Sequence, residues 1–216
     1  MKTLSWLVTL ALAPAITEMA NFDTSTYGKT PSGWITVATR PGAPPAWKVI
    51  KDSTAPTPPY VLAHVPGEAP SHFPMVVLDK SDSRDGEISV KFKPVGASGE
   101  RKAGLVWRYR DENNYYFVRA DAQNKNVIMY RVENGTPVAL APRGRPAHEY
   151  AVKHNVDADS WSILKVVYKG PRLTVYYDHR RILQVEDPSF TGPGKVGLWT
   201  RAASTTLFDN FRLVRK

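Results

Sequence analysis

The chain has 216 residues, 42% hydrophobic and 23% charged, with 29 Lys and Arg against 20 Asp and Glu for a formal charge of +9. That balance is globular and fits one all-β domain. The absence of cysteine excludes a disulfide framework and a thiolate metal centre. The positive charge admits an acidic partner without choosing one, because the basic residues are scattered at strand spacing rather than in runs and read first as a solvated surface.

Met1-Lys2 is followed by an apolar run from Leu4 to Ala15 with no charge before Glu18, and Ala13-Pro14-Ala15 supplies small residues for cleavage. This pattern reads as a secretory signal, the alternatives being a buried first strand or an irregular start. Residues 1–20 are therefore assigned to a signal peptide and leader, residues 21–216 to a single domain, and the protein to a secreted or periplasmic location. The run falls short of the roughly 20 apolar residues that span a bilayer, and no other segment comes near, so no transmembrane segment is expected.

Between Asn21 and Pro74 prolines and glycines punctuate the chain, as in Arg40-Pro-Gly-Ala-Pro-Pro45, Thr54-Ala-Pro-Thr-Pro-Pro59 and Pro66-Gly-Glu-Ala-Pro70. Short edge strands are expected there near Trp34, Trp47 to Lys51, Tyr60 to His64 and Pro74 to Leu78, joined by irregular loops. Alternation becomes clean from Gly86: Ile88, Val90 and Phe92 share one face, and Glu87, Ser89, Lys91 and Lys93 the other.

The centre of the chain, Ala103 to Asn134, holds three runs rich in β-branched and aromatic residues separated by Asp-Glu-Asn and Ala-Gln-Asn-Lys, the pattern of a hairpin-linked meander. Alternation places Leu105, Trp107 and Tyr109 inward, opposite Val106, Arg108 and Arg110. In the second run Tyr116, Val118 and Ala120 go in and Tyr115, Phe117, Arg119 and Asp121 out. In the third, Ile128, Tyr130 and Val132 go in and Arg131 out. After a loop-like stretch from Pro142 to Asp159, strands resume at Trp161 to Lys169, Arg172 to Tyr177, Arg180 to Glu186, Lys195 to Arg201 and Thr206 to Val214, with Trp161 to Tyr168 central because both its faces are apolar. No segment carries a capped helical stripe. About a dozen strands at this spacing predict an all-β, two-sheet antiparallel sandwich.

Several words in these strands resemble one family. They are Asp85-Gly-Glu-Ile-Ser-Val-Lys-Phe-Lys-Pro94, Ala103-Gly-Leu-Val-Trp-Arg-Tyr-Arg-Asp-x-Asn-Asn-Tyr-Tyr116, Trp161-x-x-Leu-x-Val166 and Gly194-x-Val-Gly-Leu-Trp-Thr200 followed by Phe208-Asp-Asn-Phe211. From about Ser32 onward the chain is similar to the concanavalin A-like lectin/glucanase superfamily, and in particular to secreted bacterial proteins with a 3-keto-disaccharide hydrolase or family-16-like domain. The resemblance implies a jelly-roll sandwich and, by analogy, contact with carbohydrate.

Catalytic signatures are a poor match. Retaining glucanases of the superfamily carry Glu-x-Asp-x-x-Glu on one strand, so that alternate carboxylates enter one cleft. Here Glu87-Ile-Ser-Val-Lys-Phe has Ser89 and Lys91 where acids would be needed. Hydrolysis by another carboxylate pair is left open, and none is nominated. His64, His72, His148, His154 and His179 fall at no metal-ligand spacing, and no nucleophile elbow or phosphate-binding loop is present. Gly96-Ala-Ser-Gly99 and Asn134-Gly-Thr136 read as turns, the latter also a formal glycosylation sequon.

The candidate ligand-binding residues are those that alternation aims outward: Arg108, Tyr115, Arg119, Arg131, Trp199 and Arg201. Aromatic rings stack on sugar C–H faces, and guanidinium groups donate paired hydrogen bonds to hydroxyls or carboxylates. The expected partner is thus an oligo- or polysaccharide, an acidic one included, with binding rather than catalysis as the leading function. A glycoside hydrolase and a structural or protein-interaction module of the cell envelope are the alternatives, and nucleic acid is not expected. The same Arg and aromatic row would equally serve as scaffold. Asp209 alternates with Leu207, Phe211 and Leu213, which puts a carboxylate on the apolar side of the last strand. It must be paired, by a structural calcium ion, by an Arg or by backbone N–H groups. No other cofactor is indicated.

Overall fold

A computed structural model describes residues 16–39, 45–66, 73–96 and 100–216. The N-terminal apolar run through Ala15, much of the first and third Pro-rich stretches, His72 and most of the Gly96 to Gly99 turn lie outside the described residues. No helix forms among the described residues, and none is long and apolar enough to cross a membrane.

Two eight-stranded sheets make the molecule. The first runs in space through β14 (Arg180–Glu186), β13 (Arg172–Tyr177), β12 (Ser162–Lys169), β6 (Gly86–Val95), β16 (Thr205–Arg215), β4 (Tyr60–His64) and β3 (Trp47–Lys51). β1 (Ile16–Ala20) pairs with the second half of β16, from Ile16 opposite Arg215 to Ala20 opposite Phe211. The second sheet runs through β10 (Thr136–Leu140), β9 (Asn126–Glu133), β8 (Asn114–Asp121), β7 (Lys102–Asp111), β15 (Gly194–Thr200), β5 (Pro74–Ser83) and β2 (Trp34–Ala38), with β11 (Val152–Lys153) also on β9. All of these ladders are antiparallel, which gives the expected two-layer jelly roll.

Most expected strands appear where alternation put them. Three elements fall elsewhere: β1 lies inside the stretch assigned to the leader, β11 inside the loop-like stretch, and β10 just past the Asn134 turn. Of the Pro-rich strands only β2 and β3 are edges, since β4 lies between β3 and β16 and β5 between β2 and β15. Ile16–Ala20 adds a strand to the first sheet.

Between the sheets lies the main core, to which β6 gives Ile88, Val90 and Phe92, β7 gives Leu105 and Trp107, and β8 gives Tyr116, Val118 and Ala120, as alternation predicts. Burial of these side chains drives assembly at about 1.5–3 kcal/mol for each large one. β9 is inverted relative to expectation. Val127 and Met129 face this core, whereas Val132 and Tyr130 belong to a second apolar cluster on the outer face of the second sheet.

Arg108 departs furthest from expectation. The β7/β8 register shifts between Trp107 and Asp111, and Arg108 takes φ 48°, so a β-bulge turns its side chain off the outer face and puts Tyr109 there instead. The guanidinium is 0% exposed. Its Nε and Nη2 donate to the Arg84 carbonyl at 3.2 and 3.1 Å, Nη1 to the Phe190 carbonyl at 2.6 Å, and Nη2 to the Gly170 carbonyl at 2.7 Å and toward Asp85 Oδ1 at 3.4 Å. Burial pulls its pKa below the ordinary guanidinium value. Arg108, expected on the open outer face, is instead a buried structural tie. Arg108→Met should leave those carbonyls unpaired and lower stability by about 3 kcal/mol, read as a fall in the urea midpoint with little change in slope.

Candidate functional site

Strand geometry builds an aromatic platform on the outer face of the second sheet. β8 projects Tyr115, Phe117 and Arg119, β9 projects Tyr130, β15 projects Trp199, and Phe73 comes from the entry to β5. In the ladders Phe117 stands opposite Tyr130 on one side and Val106 on the other, while Trp199 stands opposite Gly104. Phe117 stacks on Tyr130 with centroids 4.7 Å apart and planes 8° from parallel, and on Trp199 at 4.7 Å and 24°. Phe73 leans on both Phe117 and Trp199 at 5.9 Å.

Gly104 makes this possible. A Cβ there would collide with the Val118 carbonyl and lie 3.0 Å from the Trp199 ring. A glycine in mid-strand thus marks a close approach, here of the indole lying across the strand.

Around these rings is an open cavity of about 170 Å³ lined by Phe73, Lys102, Phe117, Arg119, Tyr130, Pro137, Trp199 and Arg201. Guanidinium groups flank it: Arg119 lies 5.7 Å from the Tyr130 centroid and Arg201 5.3 Å from that of Phe73. A chain of ion pairs forms one rim. Lys102 Nζ meets Glu100 at 2.7 Å and Asp121 at 3.9 Å, Arg119 meets Asp121 at 3.7 Å, and Arg201 meets Glu100 at 3.2 Å. Asp121 also accepts the N–H groups of Gln123 and Asn124 at 3.1 and 3.0 Å, which caps the β8–β9 turn. Three cations against two carboxylates leave the rim positive. Two of the lining residues also carry a buried donor, Trp199 Nε1 and Arg119 Nε, with no hydrogen-bond partner among the described residues. Such donors ordinarily bond a ligand or ordered water.

Three of the six residues proposed from sequence, Arg119, Trp199 and Arg201, converge here. Trp199 faces outward as expected but is only 1% exposed, roofed by its aromatic neighbours. Tyr115 lies under the platform, fully buried, and its hydroxyl shares a hydrogen bond of 2.5 Å with Thr39 Oγ1. Burial raises its pKa, and that of Tyr109 beside it to about 12. Arg131 turns to the inter-sheet side with β9's inverted face. There it holds Asp187 at 2.5 Å and Ser189 Oγ at 2.8 Å, while the Tyr116 hydroxyl donates to the same carboxylate at 3.0 Å. Arg108 and Arg131 both secure the segment between β14 and β15, so neither belongs to the cavity. Sequence reasoning missed Phe73, Lys102, Phe117, Tyr130 and Pro137. The glycine at 104, opposite an aromatic strand, was the available signal.

Asp209 also departs from expectation. The β16/β6 register shifts between Asp209 and Arg212, with Asn210 at φ 50°, so Phe208, Phe211 and Leu213 face the main core while Leu207 and Asp209 lie on the outer side under the 52–59 loop. The carboxylate is 0% exposed. It accepts the Thr57 N–H at 2.9 Å, the Asn210 N–H at 2.7 Å and the Thr57 hydroxyl at 2.9 Å. Burial nonetheless raises its pKa above the ordinary carboxylate range. Oxygen atoms of Asp209, Thr57 and Asn210 cluster there, but no group of three acidic, His or Cys side chains forms among the described residues. Hydrogen bonding thus supplies the pairing that a buried carboxylate requires.

No protein-family model and no curated protein matches this chain. Solved structures do. A carbohydrate-binding module, CBM66 from Bacillus subtilis, superposes with TM-score 0.63 at 19% identity over 83% of this chain and 94% of that one. A Bacillus licheniformis β-glucanase gives TM-score 0.58 at 13% identity over 93% and 98%. The exoplasmic/lumenal domain of VIP36, in its Ca²⁺/Man3GlcNAc-bound form, gives 0.53 at 15% identity over 85% and 83%. At these identities the likeness shows the fold, a concanavalin A-like jelly roll.

The geometry makes two outcomes testable. Gly104→Ala should shift Trp199 and cost about 1–3 kcal/mol in urea denaturation, because the added methyl meets backbone on one side and the indole on the other. Millimolar calcium or EDTA should leave the melting temperature unchanged, since a metal bound by the native state alone would raise it by mass action.

Proposed function

We propose that this domain binds an oligosaccharide on the aromatic platform of the second sheet, without catalysis, and works outside the cytosol. The convergence of stacked rings and two guanidinium groups in one open cavity carries the reading. A pyranose ring offers C–H faces to Tyr130 and Phe73, and its hydroxyls accept from Arg119 and Arg201. The jelly-roll neighbours support it by kind: one is a carbohydrate-binding module and another holds Man3GlcNAc. The two carboxylates at the rim, Glu100 and Asp121, are each engaged by two cations, and this use of both in ion pairs favours a binding role. Location outside the cytosol rests on the apolar N-terminal run with its small-residue cleavage site.

A glycan array followed by calorimetry on the best neutral ligand tests the reading. Tyr130→Ala and Arg201→Ala, both partly exposed, should each weaken binding about tenfold while leaving the fold intact. Retention of parental affinity by both variants would remove the platform as the site, and release of reducing sugar from keto-disaccharides or β-glucans would replace binding with hydrolysis.

A further inference from the structure

The outer face of the first sheet carries a second groove, of about 240 Å³, whose chemistry differs from the platform's. Its floor is Ser89 of β6. In the ladders Ser89 stands opposite Lys165 of β12 on one side and Arg212 of β16 on the other. Neighbouring strands lie about 4.8 Å apart, so the two cations rise on either side of a small polar residue, about 10 Å apart at their backbones. Along β6 the same face presents Glu87 before Ser89 and Lys91 after it.

Glu87 already spans the two cations. Its Oε1 lies 3.2 Å from Arg212 Nη1 and its Oε2 3.7 Å from Lys165 Nζ, one oxygen to each. The pair is therefore spaced to hold a carboxylate between them. On the other side of Ser89 the position equivalent to Glu87 belongs to Lys91, which makes no ion pair among the described residues. Asn210 and His179 complete that end of the groove. Asp209 is opposite Lys91 in the ladder, but its carboxylate is buried beneath Thr57 and does not line the groove. Three cations against one carboxylate leave the groove short of negative charge.

We propose that this groove binds a carboxylate of an acidic polysaccharide between Lys91, Lys165 and Arg212, with Ser89 and Asn210 donating to the neighbouring hydroxyls. The ring of Tyr176, 4.5 Å from Lys165 Nζ, extends the face for an adjoining sugar. A polysaccharide suits the groove better than nucleic acid, because a single ring beside a short basic cleft offers no run of aromatic platforms for successive bases. This site is independent of the platform, and either may stand without the other.

Surface plasmon resonance on immobilised polygalacturonate, with dextran as the neutral counterpart, tests the proposal. The full chain should bind polygalacturonate more tightly than dextran, and only the binding to polygalacturonate should weaken as sodium chloride rises. Lys91→Glu and Lys165→Glu, on partly exposed strand positions, should each weaken binding about tenfold. Arg145→Glu, an exposed loop substitution with the same change in net charge, should bind as the parent does. Free galacturonate should compete only at far higher concentration than its polymer. Parental binding by both lysine variants would overturn the proposal. So would equal weakening by Arg145→Glu, which would reduce the effect to net charge, or equally tight capture of duplex DNA at the same salt.

Discussion

A guanidinium held by main-chain carbonyls between two sheets is the constraint on which this molecule depends. Burying Arg108 requires acceptors, and the chain supplies them from the β5–β6 turn, the β12–β13 turn and the segment before β15. The first of those turns carries the chain from the second sheet to the first, so one side chain fixes how the layers meet. Reaching it requires the bulge in β7, and the bulge reverses the facing of the strand residues after it. Tyr109 thereby joins Tyr115 on the outer face, with centroids 6.0 Å apart, and the aromatic cluster extends to the end of the strand. The tie and the outward turn of Tyr109 are two results of the same bulge.

Alternation reads well wherever one face of a strand is dry and the other wet. It therefore located most of the strands and the inward sets of β6, β8 and the first half of β7. It failed for two physical reasons. Bulges at Arg108 and Asn210 take positive φ at residues other than glycine, which leaves no mark in composition, and each shifts the parity of everything downstream within its strand. In β9 the outer face is itself covered by the aromatic cluster, so Val127 to Tyr130 is apolar on both sides and alternation has little contrast to read. The residues of the candidate cavity were half legible for the same reason. Its charged members stand out in a strand, whereas its apolar floor looks like core.

The two outer faces consequently have different characters. Second-sheet strands raise stacked rings over a glycine, with charge confined to a rim of ion pairs. First-sheet strands raise lysine and arginine around a serine, and aromatic contact is confined to one end. A flat, neutral sugar face suits the former, and a carboxylate suits the latter. The jelly roll serves both because it presents two solvent-facing sheets on a shared core.

The order in which strands enter the sheets bears on how the chain reaches this state. β15 fits between β7 and β5, and β16 between β6 and the β4 and β1 edge, so strands made after all the others of their sheets occupy the middle of both layers. Until residues 194–215 arrive, each layer is split into two halves with bare hydrogen-bonding edges and no central partner. Closure therefore waits on contacts between the most distant parts of the chain, which makes for slow assembly and a long interval in which those edges are open to other molecules. A ribosome stalled before residue 194 would display bare edges on β1, β4, β5, β6 and β7 rather than a smaller version of the domain.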